Sequence, residues 1–415
     1  MTGRLTVIIP TRERPDTLQW ALKSCVTQDF DDLEILVSDN ASTRATQEVV
    51  SSYDDPRIRY VNPGRRLGMS EHWEFALSHV RAGYLMFLGD DDGLMPGAPQ
   101  EISEILGASG SEALVWPLAS YYWPEFLDGS MANCLSMPMP QPRRVTQLRS
   151  ADVLNRVAGF KAPHYLLPSP YWGVVNRTAF DRIAGRSGRV FYSINPDLYS
   201  GVAVASVTES YLRSERMYSL SGASRHSNGA SHVMGHEEDL PGSKQQVFRA
   251  ESGLAFHPDL DMTNNVCVLV AESFLQVRDH VEAMTPRPDL RAMFRAALVH
   301  PDHVLNPSVN AGTVAALRST ARRADAVAVL EEELRRDARM RWPRRAWAAS
   351  KLVALGNPLL DCSKTGVTNI FEATLAADNV LNNRTHAWTP HLYSVRGRAT
   401  KARRALAATR TRLSA

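Results

Sequence analysis

The sequence predicts an α/β fold, in which a mostly parallel sheet lies between two layers of helices, followed by a mainly helical C-terminal region. Two observations in the first 120 residues indicate this class. Short, continuous apolar runs such as Leu5–Ile9 and Tyr84–Leu88 are typical of strands that are covered on both faces. Between them lie segments with apolar residues at helical spacing, such as the stripe from Leu18 to Cys25. Strands that alternate with crossover helices favour a parallel sheet.

The elements of this part of the chain follow one another in a regular order. Asp16 and Ser70 are residues that can cap a helix at its first turn. In chain order we predict strands at Leu5–Ile9, Leu33–Ser38, Arg57–Val61 (an edge-like strand), Tyr84–Leu88 and Ala113–Trp116, alternating with helices that begin near Asp16, Thr43, Ser70 and Pro96.

The pattern is lost between about residues 120 and 170. Within this stretch, Met131–Pro142 carries three Met and three Pro residues with little periodicity. It is either an irregular loop near a pocket or a partner, or a plain surface excursion. Order returns at Tyr171–Phe191, and the C-terminal region then becomes mostly helical. Its predicted helices are Val266–Val281, Leu290–Val299 and Val314–Arg341.

Composition places the chain among ordinary globular proteins. Of 415 residues, 22% are charged and 44% are hydrophobic, which makes disordered and fibrous classes unexpected. Four scattered cysteines without a CxxC pair give little support to a disulfide scaffold or a thiolate zinc site, and they favour a reducing compartment. The sequence shows no signal segment and no apolar stretch of about 20 residues. We therefore expect a soluble, cytoplasmic protein that at most docks on a membrane surface.

Polar residues stand at the predicted carboxyl ends of the strands, where open parallel sheets bind their ligands. The second strand ends at Asp39, and the Tyr84–Leu88 strand ends at the triplet Asp90, Asp91 and Asp92. Three adjacent carboxylates repel one another, so a cation is expected beside them. Mg²⁺ and Mn²⁺ accept one or two carboxylates together with phosphate and water. The triplet therefore predicts a metal that holds a nucleotide diphosphate, the alternative being a solvated acidic turn.

Three motifs carry a resemblance to a known family. The segments Val7–Arg12 (VIIPTR), Val37–Ser42 (VSDNAS) and Phe87–Pro96 (FLGDDDGLMP) resemble those of family 2 glycosyltransferases, in the order and spacing of that family. The close resemblance covers roughly residues 4–118, and a looser one reaches about residue 232. It implies the GT-A fold, a Rossmann-like, mostly parallel sheet sandwiched by helices.

The resemblance also implies roles for individual residues. In the donor site, Asp39 matches a contact to the nucleotide base, and Asp90 would lie by the ribose or the metal. Asp91 would be the main ligand of Mn²⁺ or Mg²⁺, and Asp92 would support it as a second candidate ligand. Gly89 stands where the family often has Asp. Further donor-site candidates are Pro10, Thr11, Arg12 and Arg66, of which Arg66 is either a diphosphate contact or a solvated loop arginine.

Two candidates lie in the second half of the resemblance. The family has a catalytic carboxylate after a Gly-x-x-x-Arg and a Phe, and here Gly173, Arg177 and Phe180 precede Asp197. Asp197 is the candidate general base, although an acid after Pro196 could equally cap a helix. His226 is a candidate metal ligand or diphosphate contact, and it could also be one of twelve histidines without a role.

Basic residues accumulate towards the C-terminus. Residues 379–415 contain a series of Lys and Arg without an acid, and a similar run surrounds Arg344. Such segments attract anionic lipid headgroups by about 1 kcal/mol for each charge. The tail is therefore either a peripheral contact with the inner face of the membrane or a solvated arm. Nucleic-acid binding is less supported, because no recognised motif is present.

Taken with the resemblance, the sequence indicates an inverting, metal-dependent hexosyltransferase in polysaccharide biosynthesis. Its donor would be a UDP, GDP or dTDP sugar, and its acceptor a glycan or a lipid-linked saccharide. Two alternatives remain: a non-catalytic GT-A-fold scaffold protein, and, with less support, a sugar-nucleotide pyrophosphorylase, whose Gly-rich phosphate loop is absent after the first strand. We expect a nucleotide-sugar-binding half at 1–118, an acceptor-binding and catalytic half at 119–250, and a helical module with the basic tail at 251–415.

Overall fold

The apolar runs of the N-terminal part form a large, mostly parallel sheet. The computed structural model describes residues 4–126, 131–139, 141–225, 251–300, 307–338 and 359–382. Strands β1 (Leu5–Thr11), β2 (Leu33–Asp39), β3 (Ile58–Val61) and β4 (Tyr84–Phe87) run parallel. The eight strands follow the order β3-β2-β1-β4-β10-β6-β11-β9. The later members are β6 (Ala113–Val115), β9 (Val145–Arg149), β10 (Gly173–Asn176) and β11 (Ser210–Ser214).

Helices cover both faces of this sheet, because alternate strand residues point to opposite sides. Val7 and Ile9 of β1 pack in one buried core with α1 and α4, while Ile8 packs in another with α3, α5, α6 and α7. This confirms the predicted α/β class. The bounds are α1 (Pro15–Val26), α2 (Arg44–Ser51), α3 (Met69–Ser78), α4 (Ala98–Ser109), α5 (Ser150–Ala158), α6 (Arg177–Ser187) and α7 (Pro196–Val207).

A second, smaller sheet lies beside the carboxyl ends of the parallel strands. Its order is β13-β8-β7-β12-β5, from strands of two to five residues. The pairing of β12 with β5, which follows the aspartate triplet directly, brings residues 219–224 against that triplet. The bounds are β5 (Gly93–Leu94), β7 (Ser120–Tyr122), β8 (Cys134–Ser136), β12 (Ser219–Ala223) and β13 (Leu359–Asp361).

The C-terminal region is mainly helical, as predicted. Helices α8 (Val266–His280), α9 (Leu290–Val299) and α10 (Pro307–Arg323) share a third apolar core, and α8 also packs against α7. In contrast, α11 (Ile370–Leu381) packs on α1 and contributes Ile370, Ala373 and Ala377 to the core of the N-terminal half. Part of the region beyond residue 251 therefore folds back onto the first sheet. The three-part division of the chain stays a prediction.

Two predictions about secondary structure need correction. Residues 120–170 are not wholly irregular, because they contain β7, β8, β9 and α5, as well as a short 3-10 turn at His164–Leu166. The predicted single helix Val314–Arg341 ends at Arg323 and a helical segment resumes at 327–338. Between them Asp325 has a φ of 50°, a left-handed conformation that Asp tolerates better than most residues and that interrupts a helix.

No helix in the described part of the chain is long and apolar enough to cross a membrane. Most of the basic run around Arg344 and the tail beyond residue 382 lie outside the described residues.

Candidate active site

The carboxyl ends of β1, β2 and β4 meet at one edge of the sheet, and their loops form the candidate site. Thr11, the last residue of β1, donates a hydrogen bond from Oγ1 to Asp90 Oδ2 at 2.8 Å. Arg14, at the start of α1, donates from Nη1 to Asp90 Oδ1 at 3.0 Å. Both oxygens of Asp90 are therefore fixed by the loop that follows β1.

The other two carboxylates of the triplet are held by the chain around them. Asp92 accepts the N–H of Gly89 on Oδ2 at 2.9 Å and the N–H of Gly222 on Oδ1 at 2.7 Å. Asp91 accepts the hydroxyl of Ser224 on Oδ2 at 2.7 Å. Asp92 thus closes the turn after β4 and ties it to β12, whereas Asp91 Oδ1 accepts no hydrogen bond from the residues that the structure describes.

Two glycines allow this close packing. A Cβ atom on Gly222 would lie 1.7 Å from the carbonyl oxygen of Asp91, so no side chain fits there. A Cβ atom on Gly89 would lie 2.7 Å from Asp92 Oδ2. A side chain at position 89, where the resembled family often has Asp, would therefore displace the Asp92 oxygen that closes this turn.

The triplet is a concentration of buried negative charge. The three aspartates are each at most 5% exposed, and among the described residues Arg14 forms an ion pair with Asp90. Burial, together with the charges of Asp92 and Asp90, raises the pKa of Asp91 to about 7, although Arg14 and Ser224 oppose the shift. Burial also raises the pKa of Asp92. Additional positive charge beside the triplet would therefore favour its full ionisation.

The residues present fit a hard divalent cation that is completed by a ligand. Among the described residues, no three carboxylate, imidazole or thiolate groups are arranged to hold a metal by themselves. Mg²⁺ and Mn²⁺ are commonly bound by one or two carboxylates while phosphate oxygens and water complete the shell. Asp91 Oδ1 is an oxygen donor of this kind in a site with excess negative charge.

Asp39, the last residue of β2, is 1% exposed and held by three donors. Its Oδ1 accepts the N–H of Ser42 at 3.1 Å, and its Oδ2 accepts the hydroxyl of Tyr60 at 2.6 Å and the amide of Asn62 at 3.2 Å. A carboxylate offers about four acceptor positions, so one position on Oδ1 is left for a ligand.

The remaining donor-site candidates lie in the same loops but have other partners. Arg12 makes a bidentate pair with Glu251, with Nη1–Oε2 at 2.5 Å and Nη2–Oε1 at 3.0 Å. Arg66 is half-exposed and pairs with Glu13 at 3.1 Å. Pro10 is part of β1 and is partly buried. The structure thus brings Arg12 and Arg66 to the edge of the sheet, each against a carboxylate.

Asp197 lies in the first turn of α7, directly after Pro196. Burial raises the pKa of this carboxyl, and hydrogen bonds from backbone N–H groups oppose the shift. Burial and the charges of Asp92, Asp91 and Asp197 together raise the pKa of the Tyr171 phenol far above its ordinary range. The Tyr171 phenol is thus affected by the charges of both the candidate base and the triplet.

His226 lies outside the described residues. Ser224, two positions earlier in the chain, is the residue that contacts Asp91.

Several residues of the site were not predicted from the sequence. Arg14 could have been found, because it follows Thr11 by three residues in a strand-end loop. Tyr60 and Asn62 stand at the end of β3 beside β2, where their polarity was a weak signal. Ser224 and Tyr171 gave no local signal, since both reach the triplet from distant parts of the chain.

Comparison with known proteins agrees with the motifs. Residues 6–159 match the family model described as glycosyl transferase family 2. The resemblance to that family is thereby confirmed over this part of the chain. A Campylobacter jejuni GalNAc(5)-diNAcBac-PP-undecaprenol beta-1,3-glucosyltransferase is 41% identical over 98 residues, 23% of this chain and 32% of that protein.

Two further proteins extend the comparison. A validoxylamine A glucosyltransferase of Streptomyces hygroscopicus is 36% identical over 115 residues, 26% of each chain. The chain thus spans about a third or less of the length of these two relatives. The crystal structure of S. aureus TarS 1-349 in complex with UDP-GlcNAc superposes at a TM-score of 0.46 and 15% identity, covering 80% of this chain and 92% of that one.

Proposed function

We propose that this chain is a glycosyltransferase that takes a sugar from a nucleotide-diphosphate donor. The observation that supports this most directly is the group of buried carboxylates at the ends of β2 and β4, with Asp91 Oδ1 and one acceptor position of Asp39 left for a ligand. The family match over residues 6–159 supports the same class of reaction.

In this proposal the donor lies across the ends of β1, β2 and β4. Asp39 accepts an N–H of the nucleotide base, while Pro10 and Thr11 form the wall beside it. Asp90, fixed by Thr11 and Arg14, faces the ribose. Arg12 and Arg66 contact the diphosphate once they exchange their present carboxylate partners for phosphate oxygens, since guanidinium groups bind both in the same bidentate way.

Asp91 is the proposed ligand of a divalent cation, Mn²⁺ or Mg²⁺, with Asp92 orienting it and His226 as a further candidate ligand. When bound, such a cation neutralises the diphosphate and stabilises the departing nucleotide. The protein contributes a rigid turn, because Asp92 holds Gly89 and Gly222 in place.

Asp197 is the proposed general base of an inverting transfer. It would remove the proton from an acceptor hydroxyl as that oxygen attacks the anomeric carbon from the face opposite the leaving nucleotide. Its raised pKa suits this role, because a more basic carboxylate takes the proton more readily.

The acceptor in this proposal is a glycan or a lipid-linked saccharide held by residues 119–250, and 1–118 form the donor half. The Campylobacter jejuni relative, whose name specifies an undecaprenol-linked saccharide, favours a lipid-linked acceptor. Peripheral membrane contact through the basic tail would bring the site to such a substrate.

The experiment is calorimetric binding of UDP, GDP and dTDP, each with and without Mn²⁺. The wild-type protein should bind one nucleotide in a metal-dependent way, and Asp91→Asn should lose at least tenfold in affinity because a charged ligand of the cation is replaced by a neutral amide. Asp54→Asn, an exposed aspartate between α2 and β3, is the matched control and should bind normally.

Folded wild-type protein that binds none of the nucleotides would contradict the proposal and favour a scaffold protein with this fold. Equal binding by Asp91→Asn would contradict the metal assignment alone.

A further inference from the structure

The segment Leu167–Trp172 contacts both halves of the proposed site. It directly precedes β10, which pairs antiparallel with β4 through Val175 and Leu85. The backbone N–H of Phe87, the last residue of β4, donates to the carbonyl of Pro170 at 2.8 Å. The segment is therefore anchored beside the turn that carries the aspartate triplet.

Ser169 ties the same segment to α7. Its fully buried hydroxyl donates to the carbonyl of Asp197 at 2.8 Å and accepts the N–H of Tyr171 at 3.3 Å. The hydroxyl of Ser200 lies 3.2 Å away and also donates to the carbonyl of Asp197, at 3.0 Å. One side chain thus connects the backbone of the proposed base to the backbone of Tyr171.

Tyr171 connects this junction to the triplet. Its phenol is close enough to Asp92 for the charge of that carboxylate, after burial, to raise the phenol pKa. Its ring lies beside that of Trp73, with centroids 6.1 Å apart, so packing sets its direction. Asp197 is thus connected to the end of β4 through the hydrogen bonds of Ser169 and the bond between Phe87 and Pro170, and Tyr171 is coupled electrostatically to Asp92.

We propose that Ser169 and Tyr171 are positioning residues that fix the separation and direction of Asp197 relative to the Asp90–Asp92 triplet. The inference rests on the proposed function, because an inverting transfer places the base and the leaving diphosphate on opposite faces of one carbon. An error of about 1 Å in such an arrangement can cost about a hundredfold in rate. In the proposed function the contacts with the donor come from β1, β2 and β4, and neither Ser169 nor Tyr171 makes one.

The test measures nucleotide release from the nucleotide sugar whose nucleotide binds in calorimetry, for wild type, Ser169→Ala and Tyr171→Phe. Each variant should lower kcat at least tenfold while the KM for the donor stays within twofold. Ser169→Ala should still fold, because Ser200 continues to satisfy the carbonyl of Asp197. Tyr171→Phe keeps the ring against Trp73. Asp197→Asn defines the rate that remains without the base.

Two controls separate positioning from general destabilisation. Ser206→Ala removes a hydroxyl from the far end of α7, where it bonds Val202 and Thr285, and Tyr165→Phe alters a more exposed tyrosine of the preceding turn. Both should keep the wild-type kcat at similar melting temperatures.

An unchanged kcat in Ser169→Ala and Tyr171→Phe would overturn the inference and leave the proposed function intact. The inference would also be overturned if the KM for the donor rose in these variants by the same factor by which kcat/KM fell, because the loss would then lie in donor binding. A wild-type protein that binds nucleotide but releases none from any nucleotide sugar would overturn both.

Discussion

Tyr60 shows how a single hydroxyl can prepare a carboxylate for binding. Its O–H donates to Asp39 Oδ2 at 2.6 Å, the shortest of the three hydrogen bonds that hold this group. With Oδ2 occupied by Tyr60 and Asn62, the vacant acceptor position lies on Oδ1. If Asp39 accepts a base N–H as proposed, the direction of that hydrogen bond is therefore set before the nucleotide arrives.

We expect Tyr60→Phe to weaken nucleotide binding tenfold or more. The ring remains, but Asp39 loses one charge-assisted hydrogen bond, for which a net value of about 1.5–3 kcal/mol is typical. Calorimetry with the nucleotide that wild type binds is the measurement. Tyr53→Phe, which removes a hydroxyl bonded to Gln19 on the far side of α1, should bind as wild type does. Unchanged affinity in Tyr60→Phe would mean that Asp39 does not bind the base.

At the level of single residues, the sequence predicted the site residues that stand out from their immediate neighbours in the chain. The triplet and Asp39 stand out because acids directly follow apolar strands. Ser224 and Tyr171 could not be predicted, because their contacts with Asp91 and Asp92 depend on the pairing of β12 with β5 and of β10 with β4. Which oxygen of each aspartate stays open for a ligand likewise depends on those distant donors.

At the level of elements, long periodic segments were predictable and short paired ones were not. The predicted helices Val266–Val281 and Leu290–Val299 match α8 and α9 within one residue, since each buries a continuous apolar face. Strand β8 has three residues and pairs with β13, more than 200 residues away in the chain. No local pattern marks such a strand, because three residues show no clear periodicity. Of its two partners, β7 is close in sequence but β13 lies outside any sequence window.

Helix α8 carries a buried acid that should control the pH dependence of stability. Glu272 is fully buried and accepts hydrogen bonds from Ser193 at 2.6 Å and from Gln276 at 2.9 Å. Burial raises the pKa of its carboxyl to about 7, against those two bonds. Between the ordinary glutamate pKa and 7 the folded state therefore holds a proton that the unfolded state releases, so stability is lost as pH rises through 7.

We expect Glu272→Gln to be more stable than wild type at pH 8 and similar to it at pH 4.5. The neutral amide cannot ionise, so the variant avoids the cost of a buried charge. For a pKa shift of this size, that cost is ~3 kcal/mol at most. Thermal melting between pH 4.5 and 8 is the measurement. Asp54→Asn, an exposed aspartate between α2 and β3, should follow the wild-type curve. Equal melting of Glu272→Gln and wild type at every pH would show that Glu272 keeps an ordinary pKa in the folded protein.

At the level of the whole molecule, the chain beyond residue 250 returns to the proposed donor site. Helix α11 packs in the core that contains α1 and α4. In addition, the backbone around Glu251 lies against the loop before α3, where a Cβ atom on Gly68 would be 2.9 Å from the Glu251 carbonyl oxygen. The Glu251 carboxylate occupies Arg12 with both oxygens, which is the geometry that a diphosphate would use. The C-terminal region thus places an anion on a predicted donor contact.

We expect Glu251→Gln to bind the nucleotide diphosphate more tightly, by roughly two- to fivefold. The side chains of Arg12 and Glu251 are 16% and 28% exposed, and a partly exposed ion pair contributes ~0.2–1 kcal/mol. In the variant, the nucleotide no longer has to break this pair in order to bind Arg12. Calorimetry in the presence of Mn²⁺ measures the change. Glu282→Gln, which breaks the pair of Arg186 with Glu282 on the other side of the molecule, should leave affinity unchanged. Weaker binding by Glu251→Gln would show instead that Glu251 orients Arg12 for the nucleotide, because a competitor and a support have opposite effects on the same equilibrium.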